Sequence, residues 1–310
     1  MRSIMDGSNF IYSSTSKPLS ATLFGVYNQG QIGDCTANAG AGAMQFCQIR
    51  DVIAKLPTGA KVSTSNVIPF VPSRLFIYWN ERLNSGGVSA TKVDNGASMS
   101  DIIYALVNNG VCPETDWPET NYFSTKPLTI AFTDALKDVD MDVTAKISSP
   151  VTESSIISNV VATQITGAGT TLLTNIKAAL YSNHPVLFGI SVYSSFESTN
   201  ADSTGVIPLP PTNDELLGGH ALMFVGYNDN ATYPSYTFNY TSNTNKPKTA
   251  TQAPLTGYFT FRNSWGSGTG SNGWGNQGYG YIPYNYITNS TLTGNTSSAP
   301  EFYMVTKTSL

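Results

Sequence analysis

Charge is what this 310-residue chain has least of: Asp, Glu, Lys and Arg make up 12% of it, against roughly a quarter of an average soluble protein. Ser, Thr and Asn, with 34, 36 and 26 residues, fill the polar positions instead. With 16 basic and 20 acidic residues the net charge is -4. No basic field exists to collect nucleic-acid phosphates or an anionic membrane surface, so neither is expected as a partner. Histidine is scarcer still. His184 and His220 are the only two, beside three cysteines, Cys35, Cys47 and Cys112. That is too few for a soft-ligand metal cluster or a histidine relay, and no metal or cofactor is expected. Histidine chemistry, if there is any, falls to one of two residues. No stretch approaches the roughly 18 apolar residues of a membrane span. The first twenty residues are broken by polar side chains, unlike a secretory signal. An odd set of widely spaced cysteines also differs from the disulfide framework of a small secreted domain, and the expected compartment is reducing and intracellular.

Apolar material is plentiful. Hydrophobic residues make up 40% and aromatic ones 11%, enough for one large domain or two lobes around real cores. A helix is expected to start at Asp34 and run through CTANAGAGAMQFCQIRDVIAKL until Pro57, with small or apolar residues on nearly every face, as a buried central helix has. Gly40 and Gly42 weaken it by about 1 kcal/mol each relative to Ala, which suggests another backbone passing close by. Further helices are expected from about Ala97 to Gly110 and over TLLTNIKAALYSN, ahead of His184. The second half carries strand-like runs instead, at 185–193, 220–227, 258–265 and 279–284, separated by Gly, Pro and Asn. A helical half followed by a sheet half gives an α+β chain of two lobes, and the cleft between them is a common place for a site. The Ser/Thr-rich stretch 144–171 and the segment 231–256 are expected to be surface insertions.

Several motifs do not carry their usual chemistry. Gly273-Trp-Gly275-Asn-Gln-Gly278 fits G-x-G-x-x-G, but Tyr279, Tyr281 and Pro283 follow it where a dinucleotide site needs a helix, so it is a Gly-rich turn. Asp138, Asp140 and Asp142 resemble the start of a calcium loop, yet Val143 and Ser149 stand where Gly and Glu are needed; the alternation suggests a half-exposed strand. Four N-x-S/T sequons, at Asn230, Asn239, Asn289 and Asn295, are no more than this composition produces by chance, and no glycan is assigned. Cys47 lies about 120° round the helix axis from Cys35, so the two cannot share a local metal site.

Cys35 sits where its helix begins. Helix N-terminal amides stabilise an anion there and make a thiol more nucleophilic. Upstream in N-Q-G-Q-I-G-D-C is Gln29, on a Gly-rich approach that can fold its amide back beside the sulfur. His220 opens an apolar strand after Gly218-Gly219, and Asn263 ends another in FRNSWG. The order and motifs resemble the papain-like cysteine peptidases. In that family Q-x(5)-C carries the oxyanion glutamine and the nucleophile, [G/N]-H-A the histidine, and N-S-W-G the orienting asparagine with its covering tryptophan. Gln29, Cys35, His220 and Asn263 occur in the family's order, with Ser264, Trp265 and Gly266 completing the last motif. NGVCPE (109–114), TGVIP (204–208) and GGHA (218–221) are similar to the microbial and viral branch, which adds a virion-associated location to the intracellular expectation.

The resemblance implies a papain-like two-lobe fold: an extension or short pro-segment over 1–18, then one peptidase domain over 19–310. Its helical lobe would cover about 30–140 and a β-barrel-like lobe about 141–310. It implies a thiol endopeptidase acting on peptide or protein substrates through a resting Cys35 thiolate and His220 imidazolium. Trp265, Gly219 and Gly96 would support the site or bind substrate. Phe10, Ile11 and Tyr12 could lie in the cleft as a latency peptide or form a frayed terminus. The chain departs from the plant and lysosomal enzymes at Ile32, which removes a half-cystine, at Thr36, which replaces a Trp, and at Asp34, whose carboxylate opposes a thiolate unless it caps the helix and points away. Cys35 and His220 are 185 residues apart, beyond the roughly 130–150 expected of the family, which insertions would account for. His184, before Pro185 at a helix-to-strand corner, is expected to be structural. Acyl transfer, amidase chemistry and a non-catalytic structural role on the same fold are the alternatives.

Overall fold

The computed structural model describes residues 9–10, 19–20, 25–55, 71–120, 122–136, 160–241, 246–267, 273–295 and 301–307. Helices α1 (Cys35–Lys55), α2 (Arg74–Ala90), α3 (Met99–Asn108) and α4 (Thr129–Ala135) come first. The second half contains β3 (Val160–Gln164), α5 (Gly169–Tyr181), β4 (Val186–Tyr193), α6 (Thr199–Thr204) and β5 (Leu216–Tyr233). After them come β6 (Tyr236–Thr241), β7 (Pro247–Gln252), β8 (Leu255–Arg262), β9 (Tyr279–Pro283), α7 (Tyr284–Ile287), α8 (Ser290–Thr293) and β10 (Phe302–Lys307). Near the start, the two-residue strands β1 (Asn9–Phe10) and β2 (Leu19–Ser20) pair antiparallel. Ile11 and Tyr12 of the suggested latency peptide, and the Asp138–Val143 alternation, lie outside the described residues.

α1 is buried from Thr36 to Ile49, as its small-residue composition requires. Its glycines make room for side chains, not for a passing backbone. A Cβ at Gly40 would collide with the Ile102 side chain of α3, and one at Gly42 with the Arg262 guanidinium of β8. α3 begins with a capping box between Ser98 and Asp101 and ends before Gly110, at φ 70°, where any Cβ would strike the Ala135 carbonyl. α2 is a helix that periodicity does not reveal, because Asn80, Glu81 and Arg82 are buried alongside Leu75, Phe76 and Ile77 and the apolar stripe is interrupted. Its start is clear in retrospect: the Ser73 hydroxyl accepts the Phe76 amide at 3.1 Å.

Six strands form one antiparallel sheet in the order β3-β10-β4-β5-β8-β9. The barrel-like lobe expected from the sequence is thus an open sheet with β3 and β9 at its edges. Register shifts at Val192/Tyr193 and along β5 bend it without closing it. Part of the supposed 144–171 insertion belongs to the fold, since β3 pairs with β10 from Val160 to Gln164. Within the 231–256 segment β6 and β7 pair as a separate two-stranded sheet, while its first residues extend β5 and its last begin β8. Alternation divides the main sheet between two cores. Leu187, Met223 and Val305 face α1, while Val186, Phe188 and Phe224 join α5 and α7 on the other side. No helix among the described residues is long and apolar enough to cross a membrane.

Candidate active site

Cys35, His220, Trp265, Gln29, Gly219 and Gly96 line one cleft of about 860 Å³. Asn263 stands behind His220. The helix start brings in the sulfur, β5 the imidazole, and the turn after β8 the asparagine.

His220 pairs across the sheet with Ile190 of β4 and is 7% exposed. Its Nε2 lies 2.9 Å from Asn263 Oδ1. That oxygen also accepts the Ser264 backbone N–H at 2.8 Å, which identifies it as the amide oxygen and makes Nε2 the donor. Nδ1 of the neutral ring then keeps its lone pair. Trp265 stacks on the imidazole at 4.9 Å and Phe196 meets it edge-on at 6.5 Å, so the Asn263–His220 bond is kept from water. Burial lowers the His220 pKa to about 4, although the Asn263 hydrogen bond raises it.

Gln29 is fixed by the N-S-W-G turn. Its N–H donates to the Ser264 carbonyl at 2.9 Å, the Ser264 hydroxyl donates to Gln29 Oε1 at 2.5 Å, and Gln29 Nε2 donates to the Ile32 carbonyl at 2.8 Å. One amide hydrogen of Nε2 remains for a ligand. Gly96, at φ 78°, donates its N–H to the Tyr78 hydroxyl at 3.1 Å. Tyr78 in turn donates to Asp94 at 2.5 Å, and Asp94 accepts the Gly33 amide at 3.0 Å. Gly33, Asp94 and Gly96 all line the cleft, so the Asp94–Tyr78 link ties one loop of its wall to the approach to Cys35. The sequence reading missed it because its members come from separate loops and helices.

Cys35 has a different environment. Burial raises its thiol to about 11, backbone hydrogen bonds from Ala221 and Thr36 lower it, and Glu81 and Asp34 raise it. Asp34 does not cap α1. Its carboxyl group is 0% exposed and no helix amide reaches its oxygens. Burial first, then the neighbouring Glu119, hold it well above the usual carboxylate range despite Arg74. An acid kept neutral this way removes much of the expected conflict with a thiolate. Thr36, in place of the family's Trp, donates its hydroxyl to buried Glu81 at 2.9 Å. His184 lies elsewhere, just after α5, with Nδ1 3.0 Å from the Arg50 guanidinium of α1, a structural position. None of Cys35, Cys47 and Cys112 is in a disulfide. Among the described residues no group of three His, Cys, Asp or Glu side chains is placed to hold a metal.

Comparison with known proteins shows the family and the fold. The family described as papain family cysteine protease matches residues 92–299, a span that includes His220 and Asn263 but not Gln29 or Cys35. An uncharacterized peptidase C1-like protein of Acanthamoeba polyphaga mimivirus is 32% identical over 207 residues, 66% of this chain and 56% of that protein. The chain therefore spans little more than half of that relative. Among solved structures, xylellain, a cysteine protease from Xylella fastidiosa, is similar at 30% identity and a TM-score of 0.59, covering 92% of this chain and 84% of its own. A procathepsin B from Trypanosoma congolense, 15% identical with a TM-score of 0.50 over 97% of this chain and 76% of its own, shares the fold.

Proposed function

Because the chain belongs to the papain family of cysteine proteases, we propose that it is a cysteine endopeptidase with Cys35 as nucleophile and His220 as its proton partner. The observation that carries this reading is the His220–Asn263 bond beneath Trp265, which leaves Nδ1 free in the cleft that Cys35 lines. The resting thiolate–imidazolium pair expected from the sequence depends on the two groups charging as a pair. Burial moves the thiol up to about 11 and the imidazole down to about 4, so neither group holds a charge alone. The two become charged together, as one proton passes from Sγ to Nδ1 and each charge stabilises the other.

In the proposed reaction the thiolate attacks the carbonyl carbon of the peptide bond. Gln29 Nε2 and the Cys35 N–H receive the oxyanion. The tetrahedral intermediate collapses to a thioester as His220 passes its proton to the leaving amine. Water then gives a proton to His220, attacks the thioester and releases the acid and the thiol. Asn263 keeps the ring's tilt and tautomer throughout. Cys35→Ala is expected to lower peptide cleavage by roughly 10⁴-fold or more and to abolish iodoacetamide labelling at that residue. Full cleavage by the variant would end the proposal. Running the assay with an added amine separates hydrolysis from acyl transfer, since a transferase would give mainly the amide product.

A further inference from the structure

We infer that a single buried water molecule, held between Asn38 of α1 and Asn263, fixes the amide that orients His220, which makes Asn38 a positioning residue for the reactive pair. The water site stands on the packing alone, and the positioning role rests on the peptidase reading. Behind the cleft lies a second, small cavity of about 10 Å³, lined by Asn38, Arg262, Asn263 and Ser264 and by the apolar Ala39 and Met223. That is about the room one water takes, and a water settles in such a space where roughly two to four polar groups meet it.

Asn38 is 2% exposed and Asn263 3%, so their polar atoms need partners inside the protein. Asn38 Nδ2 donates to the Asp34 carbonyl at 3.0 Å. A carbonyl can only accept, so the other amide atom of Asn38 is its oxygen, and no donor among the described residues reaches that Oδ1. Asn263 is the complement. Its Oδ1 is taken up by His220 Nε2 and by the Ser264 N–H, while its buried Nδ2 has no acceptor among the described residues. Arg262, which lines the same cavity, has a buried Nε in the same condition. Leaving buried donors and acceptors unpaired is costly. A water molecule between them satisfies both sides, accepting from Asn263 Nδ2 and donating to Asn38 Oδ1. The bridge joins the two halves of the site. Asn38 is tied to the carbonyl just before Cys35, and Asn263 holds the imidazole. Once the proton has moved from Sγ to Nδ1, the Nε2–H bond to Asn263 Oδ1 becomes charge-assisted and stronger. It forms only while the amide keeps its oxygen toward the ring, and a water gripping Nδ2 adds a restraint on that rotation.

Two measurements test this. A high-resolution crystal structure should show one density peak within about 2.7–3.2 Å of both Asn38 Oδ1 and Asn263 Nδ2. In solution, Asn38→Leu removes the acceptor and fills the cavity, while the backbone N–H of residue 38 still donates to the Asp34 carbonyl. Iodoacetamide alkylation of Cys35 at about pH 7 should then slow by about three- to tenfold, the worth of one net hydrogen bond, and kcat for peptide cleavage should fall by a similar factor. KM should stay within about twofold, because neither Asn38 nor Asn263 lines the cleft. Asn38→Ala leaves room for a second water in place of Oδ1 and should recover part of both losses. A purely structural role would lower the urea midpoint of both variants and leave the alkylation rate of the folded protein unchanged. No peak in the cavity overturns the water site. A peak together with wild-type alkylation and kcat in Asn38→Leu overturns the positioning role. Alkylation that slows in Asn38→Leu, in a protein that cleaves no peptide, would remove the peptidase reading and leave the inference standing.

Discussion

The two halves of the site treat their reactive groups differently. Around His220 the protein uses aromatic rings and one amide: Trp265, Phe196 and, behind them, Trp274 form an apolar cover, and among the described residues Asn263 alone hydrogen-bonds the ring. Around Cys35 it uses ionisable groups, with Asp34 and Glu81 buried and Glu119 half-buried beside Arg74. Both surroundings oppose charge, the first by excluding water and the second by also adding like-signed neighbours. The imidazole's behaviour is thus set by shape, and the thiol's by how many of the acids beside it keep their protons.

Removing the base breaks this comparison most completely. His220→Ala is expected to cut peptide cleavage by roughly 10³-fold or more and to shift the pH dependence of Cys35 alkylation. In the intact protein labelling should continue well below pH 8, because the thiol gives up its proton to the ring. In the variant its midpoint should move toward the value of about 11 that burial sets for the lone thiol. A wild-type profile already following a single ionisation near that value would show that the two groups do not charge together.

The residues of the pair were legible in the sequence because each lies in a short motif: Gln29 and Cys35 within one loop and helix start, His220 in GGHA, Asn263 to Gly266 in one turn. α1, α3, α5 and the main strands were legible for a similar reason, since their signals span one or two turns of chain. The surroundings were not. Asp34 meets Glu119 and Thr36 meets Glu81, each pair far apart in the chain, and no local pattern announces them. α2 escaped notice for the same physical reason. Its Asn80, Glu81 and Arg82 are buried because distant partners satisfy them: the Thr36 hydroxyl for Glu81, and the carbonyls of Thr91, Val93 and Phe123 for Arg82. The barrel-like lobe is an open sheet because, among the described residues, no pairing joins its edge strands β3 and β9, and the place of the last strand, β10, between β3 and β4 is a long-range pairing that strand propensity does not encode.

Asp34→Asn sharpens the comparison on the thiol's side. Asp34 is raised by burial and by Glu119, and it is surrounded by Glu81, Cys35 and Arg74, which also binds Glu114 at 3.1 Å. A carboxyl raised in the folded state holds its proton where the unfolded chain has released it, so its contribution to stability falls as pH rises. The variant lacks that titration. Urea unfolding should show it losing less stability than the wild type as pH rises from about 5 to 8. Its alkylation midpoint should stay close to the wild-type value wherever Asp34 keeps its proton, because a neutral acid and a neutral amide act alike on the thiol. Equal pH slopes in both proteins would mean that Asp34 is ionised in the folded state, and the contrast between the two halves would lose its electrostatic side.

Gly42→Ala probes where the two halves meet, and has the smallest expected effect on chemistry. Arg262 reaches from the end of β8 into the space that Gly42 leaves on α1, stacks its guanidinium 4.2 Å from the Tyr27 ring and donates to the Gly25 carbonyl. A methyl group at position 42 occupies the guanidinium's place, so Arg262 has to withdraw from both contacts or α1 has to shift. Over-packing of this kind costs about 1–3 kcal/mol, measurable as a lower urea midpoint at unchanged m-value. The Cys35 alkylation profile should keep its midpoint, because the groups that set it (Asp34, Glu81 and His220) are not among those displaced. A shift of the midpoint together with the loss of stability would show that the charge environment of the thiol depends on how closely β8 docks on α1, and the two surroundings would then be one coupled unit.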